Sequence, residues 1–144
     1  MFDVILVSHG PLSRAMVESA EFICGEQDRI KTYSLYLGDS VEAFGEEVRA
    51  GIEESLTRGE VLVLSDIQYG SPFNVTCAAM GDLDFIHITG MNLPCVIQAL
   101  SDRIDLDVEQ TARNCIEFCS GSIVHVNDLL EISLSSLDDE DEDE

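Results

Sequence analysis

Residues 5 to 16 read ILVSHGPLSRAM: an apolar run, then Ser8, His9, Gly10 and Pro11, then a stretch of helical character. A histidine at the end of such a run stands above the edge of a sheet, where open α/β proteins bind ligands and carry out chemistry. The same pattern repeats along the chain. Strand-like runs fall at 3–8, 30–36, 60–65 and 85–89, with a last short one, SIVHV, at 122–126. Helical patterns lie between them. Val41, Phe44, Val48, Ile52 and Leu56 share a face at 3.6-residue periodicity, with Ser40 as cap and Gly59 just past the end. Leu12, Met16, Phe22 and Ile23 do the same less cleanly before Gly25. Ser71-Pro72 is a helix-start signal, Ser as N-cap and Pro as first helical residue, for a helix running to Met80. Two more helices are expected from Pro94 to before Asp105 and from Val108 to Cys119.

Alternating strands and helices, with strands apolar on both faces, imply an α/β fold: one open, mostly parallel sheet with helices on both sides. Right-handed crossovers favour the strand order 2-1-3-4, whose switch point lies between strands one and three. That order makes His9, ending strand one, a neighbour of Asp66, ending strand three.

The chain has 144 residues and 45% hydrophobic content, enough for one domain with its own core. Seven Lys plus Arg against 29 Asp plus Glu leave a net charge of −22, which repels phosphate backbones and argues against nucleic acid or an anionic membrane. The run DDEDEDE at 138–144 supplies seven of those acids, so residues 131–144 read as an acidic, disordered tail behind a domain at 1–130. Cys24, Cys77, Cys95, Cys115 and Cys119 form no CxxC pair and no metal-ligand spacing. They read as small hydrophobes in a reducing cytoplasm, with no metal and no cofactor expected. FDVILV is too short to span a membrane and lacks the basic flank of a leader.

The candidate site combines His9 and Asp66 with Gly70, Ser71 and Gly10. A carboxylate accepting the Nδ1 proton would leave Nε2 as a nucleophile. Backbone N–H groups at the start of the third helix, with the Ser71 hydroxyl, could hold an anion beside that nitrogen, and Gly10 and Gly70 would let the backbone approach it. Singly, each residue has an ordinary explanation: a loop histidine, an aspartate cap, a common helix start. Their convergence on one switch point favours a site. His87 and His125 sit inside strand patterns and read as structural, while Tyr69 and Phe73 flank the anion loop. GxxxxGK[ST], GxGxxG and GxSxG are all missing, which removes the usual cradles for nucleotides and the serine-hydrolase elbow.

ILVSHG, CGEQ at 24–27, LVLSDIQYGSPFN at 62–74 and ITGMNLP at 88–94 resemble the mannose-type IIA components of the bacterial phosphoenolpyruvate-dependent sugar phosphotransferase system, over about residues 1–130. The resemblance implies a cytoplasmic phosphotransferase whose His9 accepts a phosphoryl group from HPr and passes it to a histidine of a IIB component, here expected on a separate chain. It assigns Asp66 as the orienting carboxylate and Ser71 as a phosphate-site donor. It also implies a homodimer in which a C-terminal strand, for which SIVHV is the candidate, crosses to the other subunit, and an indirect association with a IIC/IID membrane permease. The phosphocarrier domain of dihydroxyacetone kinases shares the fold and the early histidine, but GSPFN points to the sugar branch. A non-catalytic regulatory domain of the same fold is the alternative of a different class, and the presence of both His9 and Asp66 argues against it.

Overall fold

The computed structural model describes residues 1–142; the last two residues of the acidic run lie outside them. The elements follow in the order β1 (Asp3–His9), α1 (Leu12–Cys24), β2 (Ile30–Leu35), α2 (Val41–Leu56), β3 (Val61–Ser65), α3 (Ser71–Ala79), β4 (Ile86–Thr89), α4 (Leu93–Asp102), α5 (Val108–Ser120) and α6 (Val126–Glu142). All three strand pairings are parallel and the order is β2-β1-β3-β4, as the crossover rule requires.

Strand alternation divides the core in two. Val4 and Leu6 of β1, with Leu62 and Leu64 of β3, face α1, α4 and α5. Ile5, Val7, Val61 and Val63 face α2 and α3. Residues 4–7 and 61–64 are therefore apolar on both faces of the sheet, which is why the inner strands read as continuous hydrophobic runs. Ser40 accepts the Ala43 N–H at 3.1 Å and caps α2, while Gly25, at φ 86°, ends α1 in a conformation open to glycine.

Two expectations about single elements are corrected. The buried face of α1 is Ser13, Val17 and Ala20; Phe22 is 93% exposed and Ile23 and Leu12 also face outward. Four apolar residues spread over 12 positions left the helix's rotation underdetermined, and a small polar residue, Ser13, packs inside because its hydroxyl meets Ser34 Oγ at 3.0 Å and its N–H donates to Ser8 Oγ. Residues 122–126 form no strand in this chain: 122–125 are irregular and Val126 opens α6. A five-residue apolar run does not distinguish strand from helix, and here His125 Nδ1 accepts the Asp128 N–H at 3.3 Å, a helix-start contact. Helix α6 then continues to Glu142. On its helical wheel Val126, Leu129, Leu130, Leu134 and Leu137 share one exposed face.

The N-terminal edge of the sheet, opposite His9, is held by charge. The Asp3 carboxylate is buried and paired with Arg29 Nε at 2.6 Å and with Arg58. Burial alone would raise its pKa; hydrogen bonds from Arg58, Ser55 and Arg29 outweigh that and hold it below the usual carboxylate value. Beside it Arg103, fully buried, donates from Nη1 to the carbonyls of Phe2 (3.3 Å) and Arg29 (2.9 Å), and from Nη2 to Gln27 Oε1 (3.1 Å) and the Asp28 carbonyl (2.6 Å). One planar cation thus ties α4 to the loop that enters β2. Replacing it with an apolar chain, Arg103→Met, strands these acceptors and is expected to lower the unfolding free energy by about 3 kcal/mol, given roughly 1.5–3 kcal/mol for a charge-assisted hydrogen bond. The check is a lower urea midpoint with an unchanged slope.

Candidate functional site

The site is built where β1 and β3 end side by side. Val7 pairs with Ser65, so Asp66 comes level with Ser8 and its carboxylate reaches His9, the next residue, above the sheet. Asp66 Oδ2 accepts both the backbone N–H of His9 and its ring Nδ1–H, each at 2.8 Å, while Oδ1 accepts the Ile67 N–H at 2.9 Å. An ionised carboxylate only accepts hydrogen bonds, so the contact fixes the proton on Nδ1 and leaves Nε2 with its lone pair. The Asp66 side chain is nearly buried at 8% exposure and the His9 side chain is 50% exposed: the orienting group is covered and the ring is open to solvent.

Gly70 explains where Nε2 points. A Cβ on Gly70 would lie 2.8 Å from His9 Cε1 and 3.2 Å from Nε2, so this position accommodates the imidazole only by having no side chain. Gly70, rather than Ser71, is the N-cap of α3; its backbone is extended (φ −140°, ψ 173°), Ser71 and Pro72 are the first two helical residues, and the first helical bond is Asn74 N–H to Gly70 O at 2.8 Å. The N–H groups of Ser71 and Phe73 therefore have no partner inside the helix, and Pro72 has no N–H to satisfy. The positive end of α3 lies beside the free ring nitrogen.

Of the residues expected at one site, His9 meets both Asp66 and Gly70, and Ser71 follows Gly70 in the chain. Gly10 is adjacent, in the left-handed region at φ 55°, but its N–H donates to Leu35 O at 2.7 Å. Its contribution is the turn itself. Ser8, which the sequence reading passed over, braces that turn: its hydroxyl donates to Gly10 O at 3.2 Å and accepts the Ser13 N–H at 2.8 Å. The polar residue inside the apolar β1 run was the available signal.

Phe73 packs inward, its ring 5.5 Å from that of His87 and 5.8 Å, edge-on, from that of Tyr69. His87 is on β4, with Nε2 2.7 Å from Ser65 Oγ, and burial lowers its pKa to about 4, so it is a neutral structural residue as expected from its strand position. Cys95 and Cys115 are buried, and Cys119 Sγ contacts Asn92 Oδ1 at 3.3 Å; burial raises the Cys119 thiol to about 12. These thiols are packing groups. Among the described residues no cluster of His, Cys, Asp and Glu could hold a metal ion, and no helix is long and apolar enough to cross a membrane.

Fold and site together define an open α/β domain whose switch point presents an oriented imidazole to the start of a helix. The family described as EIIA-man, PTS system fructose IIA component, matches residues 3–116, and the chain belongs to it: it is an EIIA component of the mannose-type family of the sugar phosphotransferase system. It is similar to the PTS system fructose-specific EIIA component of Bacillus subtilis (strain 168), 26% identical over 145 residues that cover 100% of this chain and 99% of the relative. The PTS system mannose-specific EIIAB component of Escherichia coli (strain K12) is 28% identical over 103 residues, 71% of this chain but 32% of that longer protein. Two solved structures superpose closely: EIIA from Streptococcus agalactiae (TM-score 0.78, 26% identity, 88% of this chain and 98% of that one) and the mannose/sorbose specific IIA subunit from Enterococcus faecalis (TM-score 0.76, 25% identity, 85% and 92%).

The Gly70 contact gives a direct test of the site's geometry. The Gly70 backbone is unstrained, so Gly70→Ala is expected to fold, with stability within about 1 kcal/mol of the parent, yet its methyl group must push the ring off Asp66. Imidazole ¹⁵N resonances should change from a single Nδ1–H form in the parent to a mixture of tautomers. Unaltered ring signals would show that Gly70 does not position His9.

Proposed function

We propose that the protein is a phosphohistidine carrier: His9 accepts a phosphoryl group from phosphorylated HPr and passes it to a histidine of a IIB component, which serves a IIC/IID permease. The observation that carries this reading is the Asp66–His9 contact, which leaves the Nε2 lone pair facing the start of α3. Attack by that lone pair forms the new P–N bond as the donor's P–N bond breaks. No proton need leave Nε2. The ring becomes a phosphorylated imidazolium that keeps its Nδ1 proton, and the Asp66 carboxylate at 2.8 Å stabilises the positive charge that develops. The phosphoryl oxygens, which carry the spread charge of a loose transition state, would take the N–H groups of Ser71 and Phe73 and the Ser71 hydroxyl. A P–N bond keeps its transfer potential, so the group passes on with little loss.

The sugar lies outside this reading. Relatives named for fructose, mannose and mannose/sorbose have the family's sequence or fold at 25–28% identity, which supports a shared relay and a specificity held elsewhere. The net charge of −22 favours basic protein partners over nucleic acid.

Incubation with phosphoenolpyruvate, Enzyme I and HPr is expected to give one acid-labile, alkali-stable phosphate per chain, which a IIB protein then removes. His9→Ala should carry none. Asp66→Ala should fold and transfer ~10²- to 10⁴-fold more slowly. Label on His9→Ala, or an acid-stable label, would overturn the assignment.

We also propose a homodimer assembled through the C-terminal segment. The exposed apolar face of α6 and the outer edge of β4, which pairs with no further strand among the described residues, are surfaces that a second copy would cover. Sedimentation at micromolar concentration should show two chains, and Leu130→Glu with Leu134→Glu should give one. A monomeric parent that still accepts phosphate would defeat this assembly.

A further inference from the structure

Two non-glycine residues adopt the left-handed backbone region, Arg29 at φ 57° and Tyr69 at φ 63°. Arg29 is held there. Its carbonyl accepts from Val4 N–H and from Arg103, and its guanidinium binds Asp3. Tyr69 has no such grip: among the described residues its side chain makes no hydrogen bond, its ring touches Phe73 edge-on, and it is 80% exposed. A bulky aromatic is thus kept in a backbone conformation that disfavours it, and most of its ring is in water.

Its position gives the reason. Tyr69 directly precedes Gly70, the residue against the His9 ring, and Ile67 of the same loop is also exposed. On the other side of His9 an open groove of about 490 Å³ is lined by Gly10, Leu35, Tyr36 and Leu37, and Leu37 is fully exposed. The half-exposed imidazole is therefore flanked by Ile67 and Tyr69 on one side and by Tyr36 and Leu37 on the other. Among the described residues no wall closes over it. A small phosphorylated molecule would leave these side chains in water, whereas a protein surface around a phosphorylated side chain would cover them and exclude water from the transfer. Asp39 and Glu42 follow Leu37, so a partner with basic residues around an apolar centre is favoured.

Resting on the phosphocarrier reading, we infer that Tyr69 is the main affinity-determining contact for the protein phosphodonor. It is held out by its left-handed backbone to be buried by the apolar surface surrounding the donor's phosphohistidine, and Leu37 serves as the opposite contact. Tyr69 acts through docking and touches no reacting atom.

The test compares two donors of different size on Tyr69→Gly, Tyr69→Phe and the parent. With phosphorylated HPr, Tyr69→Gly is expected to raise KM about 10-fold or more with kcat little changed, as loss of an aromatic anchor does, and Tyr69→Phe to stay near the parent because the ring supplies the contact. With phosphoramidate, a donor too small to reach Tyr69, both variants should label His9 at the parental rate. An unchanged KM for HPr in Tyr69→Gly overturns the inference. So does an equal loss with both donors, which would make Tyr69 a positioning residue for the ring, and so does a loss confined to onward transfer to IIB. If the parent itself is labelled by neither donor, the carrier reading fails and the docking role fails with it.

Discussion

One carboxylate oxygen, Asp66 Oδ2, takes two N–H groups from the same residue, the backbone and the ring of His9. This double contact depends on the strand order, because only a β1–β3 neighbour pair brings position 66 beside position 9. It also links scaffold to chemistry. The backbone bond closes the top of the β1–β3 ladder, and the ring bond sets the tautomer, so the imidazole is oriented by the same group that finishes the sheet. Ser8 on one side and Gly70 on the other complete the fit, the first by bracing the turn and the second by leaving room.

What surrounds this contact is unreactive. His87 lies behind Phe73 with its pKa lowered to about 4 by burial, and the thiols of α4 and α5 are packed or raised in pKa. Of these groups, only the strand-end ring is open to solvent at the site. Several of the most exposed side chains near that ring, Leu37, Ile67 and Tyr69, are apolar or aromatic, which suits a surface that meets another protein.

The sheet and the His9–Asp66 pair were legible in the sequence for a simple reason. Strands buried on both faces leave unbroken apolar runs, and a polar residue at the end of such a run has one place to go, the C-terminal edge of the sheet. Features set by tertiary detail were not legible. Ser71 was displaced one position from the cap because Gly70, in an extended conformation, is also an accepted cap residue. The rotation of α1 turned on Ser13, whose burial depends on Ser8 and Ser34 being in reach. SIVHV was too short to choose between helix and strand, and the acidic composition after residue 130 masked the leucine spacing of α6. Tyr69 carries no sequence mark of a left-handed backbone, since a tyrosine is an unusual residue to find there.

The arginines and the lysine have a consequence of their own. Arg29, Lys31, Arg49, Arg58 and Arg113 are engaged in ion pairs within the chain, and Arg103 is buried, so of the seven cations only Arg14 lies outside these arrangements among the described residues. Little positive charge is left to face outward, and the long-range field of the molecule is close to that of a uniformly acidic body. Added salt acts on such a molecule unevenly. It screens the outer field over a Debye length of about 10 Å at 0.1 M, while the pairs around buried Asp3 are short and shielded from it. Ionic strength therefore governs how fast a basic protein finds this surface well before it loosens the fold that presents it.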